Sequence, residues 1–218
     1  MATKSRESGN SIKNDTNPEQ DKGRPAIERH GPVSEKGDLP VRKPAVAGMF
    51  YPSEKKELEK IVRGFLANAK PKKSGGRLQA IISPHAGYVY SGPVAGEAYS
   101  LLKNLDAKKQ WKIIILGPSH QYYISGFAAS GSPEWETPLG KVPTSEEGLP
   151  LNQKAHAKEH SIEVQIPFLQ SVLPYKNEAE RKKAVHLLPS AYSESNVSDF
   201  EIVPIVMGEQ NYNFSLLL

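Results

Sequence analysis

Two histidines close two strand-like runs of this chain and carry its clearest chemical signal. His85 follows residues 78–83 in the stretch IISPHAGYVYSG, and His120 follows residues 111–116 in IIILGPSH. Neutral imidazole is the commonest protein metal ligand, and open α/β sheets bind ligands at the carboxyl ends of their strands. If the two runs are neighbouring strands, both rings face one crevice. The two places are built alike: an apolar run, a turn punctuated by Gly and Pro, then His. One such histidine reads first as a turn residue held by hydrogen bonds. Two in equivalent positions make a shared metal or acid–base site an equal alternative. Their separation is about one βαβ unit.

A third cluster is HAKEHSIE, residues 156–163. His156 and His160 are four apart and would share a face on a helix, but the HExxH order of helical zinc sites is absent. His160 lies nearer the apolar positions and is the better pocket residue, as an acid–base group; the alternative is a buried histidine paired with Glu159 or Glu163. Tyr88, Tyr90, Tyr122 and Tyr123 flank the turn histidines. They line a pocket for an aromatic or peptide-like ligand, or pack at a sheet edge. Ser119 either caps the turn after it or donates to a bound ligand. Ser91 has no base beside it and GxSxG does not occur, so a serine nucleophile is unsupported. His30 and His186 have no partner that the sequence identifies.

The elements that must position these residues read as alternating helices and strands. Ser53 is an N-cap for a helix carrying Leu58, Ile61, Val62, Phe65 and Leu66 at helical spacing. Residues 78–83 (LQAIIS) read as a buried strand. Gly87 and Gly92 suit unusual backbone angles, and Pro93 opens a helix to about Lys103 with Val94, Ala98, Leu101 and Leu102 inward. Residues 111–116 (WKIIIL) have the continuous apolar texture of a strand covered on both faces. Short strands follow at 127–130 and 140–143, separated by a loop with Pro133 and Pro138. Residues 159–173 read as a helix that Pro167 kinks or begins, residues 177–185 as a charged helix, and 190–199 as a polar loop. Residues 202–206 (IVPIV) form a strand in which Pro204 suggests an edge or a bulge. The class is α/β with a mainly parallel sheet flanked by helices.

Composition narrows the functions. Of 218 residues 38% are hydrophobic and mean hydropathy is −0.51, polar for a wholly globular chain. The first 49 residues hold no aromatic residue. Residues 1–40 are therefore expected to be a disordered leader, with a domain over 41–218. The net charge of +4 is shared evenly, residues 1–43 holding nine basic and seven acidic side chains, so no nucleic-acid footprint stands out. No cysteine is present, which excludes disulfides and thiolate-ligated metals. No apolar run is long enough for a membrane span and no apolar segment marks a secretory leader. A cytoplasmic protein without a nucleic-acid or membrane partner is expected.

The stretches RKPAVAGMFYP, IISPHAGYVYSGPVAGEAY, IIILGPSH, TPLGKV, EHSIEVQIPFLQ and EIVPIVMG, in this order, resemble the Memo family, also called AmmeMemoRadiSam system protein B. The resemblance implies a fold similar to class III extradiol non-haem iron dioxygenases, with a metal pocket at the strand ends. It implies that His85 and His120 are ligands for iron or copper and that His160 lies in or beside the same pocket. If the site is catalytic, a non-haem iron or copper oxidoreductase follows. The alternatives are a non-enzymatic module for a peptide or small ligand, since some family members are described as binding phosphotyrosine peptides, and an inactive fragment. The family continues past the strand matching EIVPIVMG with an SSD-x-x-H segment and a further ligand, Cys in some members. Neither is found here, so the domain is expected to be incomplete at its C-terminus and its site to lack a third family ligand.

Overall fold

The computed structural model describes residues 40–71, 76–105, 109–146, 148–173 and 200–209. Residues 1–39 of the leader expected over 1–40, with His30, the charged helix over 177–185, His186 and the loop over 190–199 lie outside the described residues. Nine helices and strands of regular form are found among the described residues: α1 Lys55–Asn68, α2 Tyr88–Ser100, β1 Trp111–Pro118, β2 Phe127–Ala129, β3 Glu134–Thr137, β4 Gly140–Pro143, α3 Gln153–Ala157, α4 Ile166–Val172 and β5 Phe200–Met207. Short 3₁₀ turns cover Leu101–Asn104 and Glu163–Gln165. No helix among the described residues is long and apolar enough to cross a membrane.

The chain is α/β, but its main sheet is mixed rather than mainly parallel. The order is β1-β5-β2. β1 and β5 run parallel from Trp111↔Phe200 to Pro118↔Met207, and β2 adds a short antiparallel edge at Ala129↔Ile205 and its neighbours. β3 and β4 form a separate antiparallel hairpin. β3 falls where a loop was expected, between Pro133 and Pro138, which bound the strand instead of breaking it.

β5 is the central strand, so the proline expected at an edge or bulge sits inside the sheet. Alternation accounts for it. Ile202 accepts a hydrogen bond from the Ser145 backbone N–H (2.9 Å) away from β1. Pro204, two residues on, turns its nitrogen to the same side. Pairing with β2 stops at Ile205, one residue short of Pro204, so the missing N–H interrupts no rung there.

Residues 78–83 are not a strand. They run extended without ladder bonds; Leu78 and Ile81 lean on the core, while Ile82 is 98% exposed. β-Branched residues favour a strand only where a neighbour accepts the ladder, and β1 pairs with β5 instead. β1 is itself covered on one face among the described residues: Ile115 is buried, Ile114 and Leu116 exposed. The expected two-sided cover is absent there.

α1 forms as the apolar spacing predicts, with Leu58, Val62 and Leu66 buried. Its cap is Glu54, whose carboxylate accepts from the Lys56 N–H, rather than Ser53. α2 begins at Tyr88, five residues before Pro93, and turns Tyr88, Ser91, Gly92, Ala95, Gly96 and Tyr99 inward. Val94, expected inside, is exposed. Gly92 has ordinary backbone angles, as does Gly87; Gly92 is needed for closeness. A Cβ on Gly92 would overlap the Phe65 ring, and one on Gly96 would stand 2.7 Å from the Phe65 carbonyl oxygen. The two helices therefore touch through glycine.

The interior also holds charge. Arg42 lies 4.0 Å over the Trp135 ring and pairs with Glu163 at 2.7 Å. Its Nε donates to the His156 carbonyl and its second terminal nitrogen to the Glu159 carbonyl. Glu163, fully buried, also accepts from the Ala45 and Val46 backbone N–H groups and from the Tyr51 hydroxyl. Removing one partner of such a pair strands the other in a poorly solvating medium. Glu163→Ala is expected to cost about 3–5 kcal/mol of stability, read as a lower denaturation midpoint in urea; a loss under about 1 kcal/mol would show that the pair is not a structural anchor.

Candidate metal centre

Three loops bring three imidazoles together, and each loop is held by backbone-directed hydrogen bonds. The His120 turn leaves β1 through Gly117. A Cβ on Gly117 would stand 2.5 Å from the Ser161 hydroxyl, so glycine alone lets the strand end lie against residues 159–162. The Ser161 hydroxyl then donates to the Pro118 carbonyl at 2.9 Å. The His85 turn is fixed from two sides. Gln165 donates to the Pro84 carbonyl (3.1 Å) while accepting from the Tyr99 hydroxyl (2.8 Å). The Tyr88 N–H donates to the Phe50 carbonyl at 2.7 Å. These anchors replace the sheet pairing that residues 78–83 lack.

His160 lies on the turn between α3 and the 3₁₀ segment, its ring 4.7 Å from that of Phe50. α3 ends at Ala157, so His156 and His160 do not share a helix face. His156 is buried elsewhere, edge-on to Trp135, with its Nε2–H donating to the Ala128 carbonyl.

The ring centroids of His85 and His120 are 5.2 Å apart, of His85 and His160 5.8 Å, and of His120 and His160 4.7 Å. One ligand atom from each lies within 4.8 Å of the others, so the triad could hold a metal ion. Nitrogens bound to one ion at about 2.0–2.1 Å stand about 3–3.5 Å apart, inside the 4.8 Å within which these ligand atoms lie. The donor set is three imidazoles without thiolate, which suits zinc, copper, iron or nickel.

Glu159 stands behind the rings, with no exposed surface. Its Oε2 accepts from the His120 backbone N–H at 2.5 Å and its Oε1 from the His160 and Ser161 N–H groups. The same Oε1 is 3.0 Å from His120 Nδ1 and 3.3 Å from His160 Nδ1. Burial works to raise its pKa, but the His120 ring and the three N–H donors outweigh burial and hold it at about 2. Burial, with His120 nearby, pulls His85 below the ordinary imidazole value. Burial also lowers His160 against the opposing pull of Glu159. Both rings are thereby favoured in the neutral form that binds metal.

A cleft of about 550 Å³ opens beside the triad, lined by Phe50, Pro84, His85, Ala86, Gly87, Tyr90 and His160. Of the sequence-predicted residues, His85, His160 and Tyr90 line it, and His120 joins the triad behind. Tyr88 does not: it is buried, and its hydroxyl donates to the Val164 carbonyl at 2.7 Å. Position 88 is the first inward position of α2, so packing claims it. Ser119 is also off the wall; its hydroxyl donates to the Tyr122 carbonyl, which is neither an N-cap, where the side chain would accept from a backbone N–H, nor a place on the cleft wall. Tyr123 is exposed and donates to Glu209. Phe50 and Gln165 are missed by the sequence reading, and Glu159 and Glu163 enter it only as alternative pairing partners of His160; Glu159 Oε1 does lie 3.3 Å from His160 Nδ1. The signal available was polar residues at inward positions of an apolar stretch, EHSIEVQIPF.

Comparison with known proteins identifies this α/β chain as a Memo-type protein. Residues 42–216 match the family model described as Memo-like protein. A MEMO1 family protein of Methanocaldococcus jannaschii is 38% identical over 189 residues, 79% of this chain and 58% of its own length. Others in Nitrosopumilus maritimus and Thermotoga maritima are 37% and 40% identical over 150 residues, covering 62% and 60% of this chain and 54% and 53% of theirs. The chain belongs to the Memo-like family. It spans just over half the length of these relatives.

His156 adds to the pH dependence of this region. Burial, with Arg42 adding to it, drives its pKa from 6.5 down to about 4; its Nδ1 has no partner among the described residues. A depressed folded-state value means stability present above pH 6.5 and lost as pH falls towards 4. The loss from this group is on the order of 3 kcal/mol. His156→Gln, which keeps a donor for Ala128, is expected to flatten the fall in melting temperature between pH 6.5 and 4. An unchanged slope would assign the titration to other groups.

Proposed function

We propose that His85, His120 and His160 bind one iron or copper ion, and that the site supports metal-dependent redox chemistry on a small ligand held in the Phe50–Tyr90 cleft. The observation that carries this is the convergence of three imidazoles from three separate loops at the mouth of a cleft. A bound ion would supply Lewis acidity and a redox couple at open coordination positions. The chain supplies the rest. Glu159 holds His120 and His160 in place, Gln165 fixes the His85 turn, and Phe50, Pro84, Ala86 and Tyr90 exclude water from the ligand's apolar part. His160 serves as third ligand in this reading, since its ring is as close to His120 as any in the triad. A proton carrier at His160 is the alternative role.

Metal analysis of purified protein tests both. Wild type is expected to carry iron or copper near one per chain, and His85→Ala, His120→Ala and His160→Ala each to lose it. Equal metal content in all four proteins would overturn the site. Loss in the first two with retention in His160→Ala would return His160 to the acid–base role.

A second reading, a non-enzymatic pocket for a peptide or small ligand, draws on the mainly apolar wall of the same cleft. It requires that ligand affinity survive His85→Ala and His120→Ala, whereas the metal reading requires it to fall.

A further inference from the structure

We propose that Glu159 is the positioning residue of the triad: it locks His120 in the tautomer that bears its proton on Nδ1 and leaves Nε2 bare for a ligand. This deepens the metal reading and rests on it. An ionised carboxylate only accepts hydrogen bonds. Glu159 is surrounded by donors, with three backbone N–H groups from both sides of the site, His120 on one and His160 and Ser161 on the other. The fourth hydrogen-bonded group is the His120 ring, whose Nδ1 lies 3.0 Å from Oε1. That nitrogen must therefore carry the hydrogen, and in the neutral ring the lone pair is then on Nε2.

Geometry gives the residue a second task. The same carboxylate joins the end of β1 to the 159–161 turn, so two of the three rings are referenced to one buried group. His160 Nδ1 also lies 3.3 Å from Oε1, and the two rings stack at 23°. A carboxylate hydrogen-bonded to a ligating imidazole also raises that ligand's basicity towards a cation.

The test has a metal-free and a metal-loaded arm. In the metal-free wild type at pH 8, long-range ¹H–¹⁵N spectra should show His120 with Nδ1 protonated and Nε2 unprotonated; an Nε2-protonated ring would overturn the inference while leaving the metal reading intact. For the second arm, Co²⁺ is titrated into wild type and Glu159→Gln and read by visible absorption. The variant should bind on the order of 10–100-fold more weakly, with an altered pH profile and a changed His120 tautomer signature. Equal affinity and pH profile would overturn the positioning role. Failure of wild type to bind Co²⁺ would overturn the metal reading, and this inference with it. The wild-type spectrum decides the tautomer even if Glu159→Gln does not fold.

Discussion

Full satisfaction of buried carboxylates is the constraint on which this structure depends. Residues 159–165 sink Glu159, Glu163 and Gln165 into an apolar interior, and an unpaired polar group there costs more than a satisfied one contributes. Every part of the site is tied to one of these three side chains. Glu163 collects Arg42, Ala45, Val46 and Tyr51, which fixes the segment carrying Phe50. Glu159 collects both sides of the His120–His160 contact. Gln165 holds the turn of His85. Seven consecutive residues thus position groups that are otherwise far apart in the chain.

This arrangement shows why the site tolerates a weakly built sheet. Residues 78–83 have no ladder, yet His85 still reaches its neighbours because side-chain amide and backbone bonds hold its turn. Close contact does the same work elsewhere. Gly117 lets β1 end against Ser161, and Gly92 and Gly96 let α1 and α2 meet. The exposed Ile114 and Leu116 mark the side of β1 that the described residues leave uncovered.

How much of this was legible follows from the range of each signal. Turn chemistry is local, so PHAG and GPSH announced His85 and His120, and the nearness of His160 to the apolar positions of EHSIE singled it out over His156. Apolar spacing is also local, and it served for α1, β1 and β5. It failed where the outcome depended on a distant partner. LQAIIS has strand propensity but no strand beside it. Pro204 looked like an edge residue because the end of β2 could not be seen from IVPIV. Tyr88 and Tyr90 differ by two positions and are equivalent by composition; only the phase of α2 sends one to the core and the other to the cleft. Arg42 and Glu163 are 121 residues apart, and nothing in either neighbourhood names the other. The Memo resemblance supplied the pocket before geometry did, but not the anchors that build it.

The central claim is that three imidazoles, each delivered by its own loop, meet on a single ion. X-ray absorption at the zinc edge of protein loaded with one equivalent of Zn²⁺ counts them without relying on activity or variants. The account predicts a nitrogen or oxygen shell at about 2.0–2.1 Å with multiple scattering from three imidazole rings. A spectrum without imidazole scattering, or with a single ring, would contradict it.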